Sequence, residues 1–154
     1  MTSKYANWNY AEPQYPHLMS GRTLQAIRIF VCLLPSVILL VMAVTLLPVT
    51  NQIFFFTQYG NQFVIFSSAA SLYLARSKNH PALAKWTAIV TQLALPMQLV
   101  VTLVYWLALH HHVLAALDKM PVGPTRTGSY ILMVFIHFWP FVSISANVFL
   151  SRFE

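Results

Sequence analysis

Three observations in this 154-residue chain predict an all-α, polytopic integral membrane protein with four transmembrane helices. First, no charged side chain stands between Arg28 and Arg76, between Lys85 and Asp118, or between Arg126 and Arg152. Those gaps hold enough apolar sequence for four crossings of about 20 residues each. Second, 58% of residues are hydrophobic and only 8% charged. A soluble domain carries about a quarter charged residues, and a chain of this length has no core large enough for so much Leu, Val, Ile and Phe. Third, Pro35, Pro96 and Pro140 fall inside three of the apolar segments. Prolines there argue against soluble helices, but lipid-embedded helices tolerate them as kinks where a neighbour satisfies the freed carbonyl.

Residues 1–28 form a polar, aromatic tail with Tyr5, Trp8, Tyr10 and Tyr15 interspersed with Pro13 and Pro16. The tail lacks the apolar stretch and Ala-X-Ala site of a signal peptide, and it lacks an Arg-rich transit pattern. Its aromatics suit the headgroup level or a partner surface, and a terminus of this kind frays unless something ties it down. Residues 29–154 form the membrane domain. Its helices are expected near 29–49, 54–75, 86–109 and 129–150, the start of the second being the least defined because of a polar break at Thr50, Asn51 and Gln52. The segments are long and continuously apolar, without the alternation of a membrane β-barrel.

Charge placement gives an orientation. Lys4, Arg22 and Arg28 flank the first crossing, Arg76, Lys78 and Lys85 lie between the second and third, and Arg152 follows the fourth. With four crossings these positions share one side, so the positive-inside rule places both termini in the cytosol, the matrix or an equivalent compartment. The same bias accounts for the net charge of +6. Basic residues scattered over lipid-facing flanks make no concentrated nucleic-acid footprint, and nucleic acid is not an expected partner.

The single Cys32 has no second thiol for a disulfide or redox pair and reads as a small buried hydrophobe. His110, His111 and His112 point in three directions on a helix, so the run is expected to cap the end of the third helix rather than hold a metal. No metal or cofactor is expected. His137 differs, because an ionisable group about nine residues into a crossing is costly and marks a functional position. By helical rise Ser67 reaches a similar depth. A serine activated by histidine is the minimal arrangement for acyl transfer, while Ser67, Ser68 and Ser71 equally suit a small-residue packing face with His137 as an interhelical hydrogen-bond donor.

Tyr59-Gly60 followed by Ser67, then Lys85-Trp86 through Leu95-Pro96 and Val100-Val101 to Tyr105-Trp106, then His137 ahead of Pro140-Phe141, resembles the FAR-17a/AIG1-like (androgen-induced) membrane proteins over residues 54–150. That family includes threonine-type hydrolases of fatty acid esters of hydroxy fatty acids, with a threonine and a histidine embedded in the membrane. The resemblance implies that Ser67 stands where the family has its nucleophilic threonine and His137 where it has its histidine.

Two functional readings follow. In the first the chain is a non-catalytic accessory subunit of a larger membrane complex, with other membrane subunits and lipids as partners and the mitochondrial inner membrane or the endoplasmic reticulum as its home. In the second it is an intramembrane lipid ester hydrolase with Ser67 and His137 as catalytic pair. Transport is a weaker third class, because no paired charges or inverted repeat are visible in the sequence.

Overall fold

The computed structural model describes residues 9–46, 52–77 and 80–152. These fold into four helical rods and a short two-stranded ribbon. Strand β1 (Asn9–Pro13) leads into a turn, after which Ser20 caps the first rod by accepting the Thr23 amide at 3.1 Å. The first rod comprises α1 (Gly21–Ile27), a π-helical stretch (Arg28–Leu33) and α2 (Leu34–Leu46). The second is α3 (Gln52–Arg76). The third comprises α4 (Pro81–Val104), a second π-helical stretch (Tyr105–Leu109) and α5 (His110–Leu117). The fourth is α6 (Pro124–Leu150), which ends in β2 (Ser151–Arg152).

Three of these helices, Gly21–Met42, Pro81–Leu117 and Pro124–Leu150, are long and apolar enough to cross a membrane. Among the described residues α3 does not join them, because Thr57, Gln58, Asn61, Gln62, Ser67, Ser68 and Ser71 dilute its hydrophobicity. Much of that polarity faces inward: Thr57, Asn61, Ser67, Ser68 and Ser71 are all buried. The outer surface carries exposed Phe30, Ile38, Leu93, Leu107 and Phe149. A bundle with an apolar exterior and a polar interior is stable where the surrounding solvent is lipid.

The third and fourth rods begin at Pro81 and Pro124, each five residues before the expected start, and two further boundaries depart by more. The first helix starts at Gly21, eight residues before residue 29, so Arg28 belongs to the bundle and not to a flank. The expected stretch 47–49 lies outside the described residues. The third rod continues to Leu117, beyond the expected end at 109, because no Gly or Pro interrupts the sequence until Pro121. His110, His111 and His112 therefore open α5 and do not cap a helix end. Beyond Leu117 the chain turns, and an Asp118–Arg126 ion pair spans the turn.

Packing centres on α3, which touches the other three rods. Val64, Ala94 and Ile144 meet at its apolar centre, each fully buried, with Phe63, Leu95 and Val148 around them. Pro35 has no N–H for the preceding turn, and the Val31 carbonyl instead accepts the Trp139 indole N–H at 3.0 Å and the Ser143 hydroxyl at 3.1 Å. The first and fourth rods are thus joined at a carbonyl one turn before Pro35.

The ribbon closes one end of the bundle. β1 and β2 pair antiparallel, with Asn9 opposite Arg152 and Pro13 opposite Ser151, and the Gln14 amide donates to the Leu150 carbonyl at 2.9 Å. Gly21 is needed at this end, since a Cβ there would lie 2.7 Å from the Ala11 carbonyl oxygen. The Tyr10 hydroxyl donates to the Ala84 carbonyl at 3.2 Å, and burial pushes its phenol above the usual tyrosine range. The segment Asn9–Pro13 is therefore tied down by the chain itself. Tyr5 and Trp8 lie outside the described residues.

Candidate functional site

Two layers of buried polar side chains cross the bundle. The layer nearer the ribbon is built around Arg28, which is fully buried. Its Nε donates to Asn147 Oδ1 at 3.0 Å, one terminal nitrogen donates to the Tyr10 carbonyl and to Gln25 Oε1 at 3.3 Å, and the other donates to Ser151 Oγ at 2.8 Å. None of these acceptors is a carboxylate. The charge is held by dipoles, and four of the five guanidinium N–H groups are used. Asn147 continues the network by donating from Nδ2 to Ser67 Oγ at 3.1 Å. Ser67 Oγ in turn lies 2.5 Å from Thr91 Oγ1, and the Thr91 hydroxyl is also 2.7 Å from its own helix's Thr87 carbonyl. Arg28, Asn147, Ser67 and Thr91 thus link all four rods through one chain of hydrogen bonds.

His137 lies deeper, and its surroundings differ. The ring stacks on Tyr105 with centroids 4.0 Å apart and planes 9° from parallel. Nδ1 lies 2.7 Å from the Met133 carbonyl. A carbonyl only accepts, so Nδ1 carries the hydrogen, and in the neutral ring Nε2 then bears the lone pair of a base. The Thr102 hydroxyl donates to the His137 carbonyl at 2.8 Å, and the Tyr105 hydroxyl lies 3.2 Å from His110 Nδ1.

Ser67 and His137 are not brought together. No hydrogen bond joins them among the described residues, and the Ser67 hydroxyl is engaged by Thr91 and Asn147. The helical register gives the reason. α3 and α6 run parallel and are in contact at Ser67 and Asn147. His137 precedes Asn147 by ten residues, about 15 Å of helical rise toward the other end of the bundle. Counting back equally from Ser67 reaches Thr57. Thr57 is 3% exposed. The hydroxyl at the depth of His137 is therefore that of Thr57.

The antiparallel contact of α3 with α4 has the same register. Ser67 meets Thr91, and seven residues on in each direction Gly60 meets Gln98. The Gln98 amide lies so close over Gly60 that a Cβ there would stand 2.5 Å from Nε2. Gln98 is fully buried, yet neither its Nε2 nor its Oε1 has a partner among the described residues. Ser36 Oγ and Asn61 Oδ1 are likewise buried and unpartnered, although Asn61 Nδ2 donates to the Ser36 carbonyl at 2.8 Å. Unpaired buried groups cost about 1–3 kcal/mol each, so such a cluster marks a place where water or a ligand completes the bonding.

Sequence reasoning singled out His137 by its depth, and the structure buries it. The same reasoning missed Arg28, Thr57, Thr91 and Gln98. A buried polar stripe at Thr57, Asn61, Ser67, Ser68 and Ser71 follows the 3.6-residue helical period, and that spacing is the signal that marks Thr57 as inward. Cys32 is buried and donates to the Ser143 carbonyl at 3.2 Å, a packing role. Among the described residues no group of three His, Cys, Asp or Glu side chains is arranged to hold a metal. Set against family models, curated proteins and solved structures, the chain matches none.

Proposed function

We propose that this chain is a four-crossing membrane protein, bent at its prolines and with both ends on the basic side, that cleaves ester bonds of lipids inside the bilayer. Thr57 serves as the nucleophile in this reading and His137 as the base. The observation that carries it is a buried threonine, Thr57, at the depth of a histidine whose Nδ1–H is bound to the Met133 carbonyl. The exchange of Ser67 for Thr57 follows from the hydrogen bonds that occupy Ser67. The likeness to FAR-17a/AIG1-like proteins supports the same chemistry, since that family pairs a threonine with a histidine.

In this mechanism Nε2 of His137 removes the Thr57 proton as Oγ1 attacks the ester carbonyl, and the imidazolium then protonates the departing alcohol. Water next attacks the threonine ester with His137 again as base, releasing the acid and restoring Thr57. Helices with apolar outer faces give an acyl chain access from the lipid, and the polar interior accommodates water.

The competing reading, an accessory subunit of a larger complex such as a respiratory assembly, drew on a tail that needs an anchor. Over Asn9–Pro13 that anchor is intramolecular, through β2 and Arg28. The test uses the purified full chain in detergent, labelled with a fluorophosphonate probe and assayed on p-nitrophenyl octanoate. Labelling and turnover should vanish in Thr57→Ala and His137→Ala and persist in Ser67→Ala. A Thr57→Ala protein that labels like the parent excludes Thr57 as the nucleophile, and parental labelling of Ser67→Ala as well excludes the hydrolase reading.

A further inference from the structure

We propose that the Gln98 side-chain amide is the oxyanion donor of this site, and that Gly60 is glycine so that the amide can lie there. The assignment rests on the hydrolase reading above. When Thr57 Oγ1 bonds to the acyl carbon, the carbonyl π pair moves onto oxygen, and that charge needs a hydrogen-bond donor already in place.

Position singles out Gln98. Its Nε2 lies over Gly60, three residues from Thr57 on α3, and residues at that spacing are neighbours on one helix face. Oxygen on a carbon bonded to Thr57 Oγ1 is therefore formed within reach of the amide. Chemistry separates it from the other unpartnered groups. Asn61 has committed its Nδ2 to the Ser36 carbonyl, and the atom it leaves free is Oδ1, an acceptor that would repel an oxyanion. Gln98 retains both N–H donors, is fully buried, and comes from a different helix than the nucleophile. His137 is occupied with the proton, and the Tyr105 hydroxyl is paired with His110 Nδ1. A neutral amide also suits the low-dielectric setting, because it stabilises charge in the transition state without bringing a charge into the ground state.

Unpaired amide atoms on Gln98 give the proposal a signature that a packing role lacks. Methionine has nearly the same length and shape but no hydrogen-bonding demand. Gln98→Met should therefore lower kcat on p-nitrophenyl octanoate by about 10²–10³-fold, the range for loss of one oxyanion donor, and leave KM within about threefold. Its Tm in detergent should be unchanged or raised, since an orphaned amide has been removed. Gly60→Ala, which displaces the amide, should lower kcat in the same direction and slow fluorophosphonate labelling.

Turnover in Gln98→Met within about threefold of the parent, with Thr57→Ala inactive, overturns the oxyanion assignment and leaves the nucleophile standing. Turnover that survives in Thr57→Ala overturns Thr57 as the nucleophile and this assignment with it, and a parent protein without esterase activity overturns the hydrolase reading and this assignment together. If Gln98→Met fails to fold, the kcat of Gly60→Ala decides: parental turnover overturns the assignment, and a loss of more than tenfold at parental KM supports it.

Discussion

The two polar layers of this bundle are equally buried and oppositely bonded. Near the ribbon Arg28, Asn147, Ser67 and Thr91 hand hydrogen bonds from rod to rod, with Ser68 Oγ and Ser145 Oγ unpaired among the described residues beside them. Toward Gln98 and His137, Ser36 Oγ, Asn61 Oδ1 and both amide atoms of Gln98 have no partner among the described residues, and Thr57 is buried. Satisfied networks fix a fold, whereas orphaned groups in the same low-dielectric interior persist where function requires them. The difference teaches that burial alone does not distinguish a structural polar residue from a chemical one, and that hydrogen-bond accounting does.

The largest effects should come from the open layer. Thr57→Ala and His137→Ala are expected to lower kcat by at least about 10³-fold, some 4 kcal/mol of barrier, with Tm within about 2 °C of the parent. Esterase kinetics beside thermal unfolding of the purified chain provide the check. A matched fall in both quantities would mean that the two residues belong to the fold after all, and the contrast between the layers would collapse.

Next in size is Arg28→Met, aimed at the locked layer. Removing a buried charge relieves some desolvation, but it strips Asn147 Oδ1 of its donor and leaves the Tyr10 carbonyl with Gln25 Nε2 alone and Ser151 Oγ with only its bond to the Asn147 carbonyl. The net loss should be about 3 kcal/mol, read as a drop in Tm in detergent. Limited proteolysis should also begin to cut at 9–13, since Arg28 holds β1 through the Tyr10 carbonyl. Unaltered resistance of that segment to protease would show that the strand pairing alone anchors it.

Much of the fold was legible in the sequence because one physical quantity dominates it. Uncharged runs long enough to span hydrocarbon located the rods, and the final boundary, Leu150, agreed to the residue. The misplaced ends have a shared cause: Arg28 looked like a flanking cation, and the His110–His112 run looked like a cap, because charge was used as the boundary signal. Arg28 is instead enclosed by neutral acceptors supplied from β1, α1, α6 and β2, a set of partners that only the tertiary fold assembles. The burial of His137 deep in the fourth rod was readable from its position alone. The residue level with it on α3 was not, because matching depths across helices requires a known contact between them, and the Ser67–Asn147 bond is what places Thr57 level with His137.

A smaller effect is expected of Ser67→Ala, which cuts the chain of hydrogen bonds in the middle. Interhelical bonds in membrane proteins average about 0.6 kcal/mol, so the loss of contacts to Thr91 and Asn147 should lower stability by about 1 kcal/mol. Esterase turnover should remain within about threefold of the parent. A thousandfold fall in turnover at normal stability would return the nucleophile to Ser67.

The smallest effect sharpens the comparison most, because it reverses sign between the layers under identical chemistry. Ser36→Ala deletes a fully buried hydroxyl that has no partner among the described residues. Ser143→Ala deletes an equally buried hydroxyl that donates to the Val31 carbonyl, the acceptor one turn before Pro35. Both substitutions remove one oxygen and leave a methyl group, so side-chain size and helix propensity nearly cancel between them. The Ser36 change should be neutral or stabilising by up to about 1 kcal/mol, and the Ser143 change destabilising by about 0.5–1 kcal/mol. Equilibrium unfolding of both proteins in one detergent, referred to the parent, measures the difference directly. If Ser36→Ala is the more destabilising of the two, its hydroxyl is satisfied in the folded protein by water or by a bound group, and the open layer is occupied at rest.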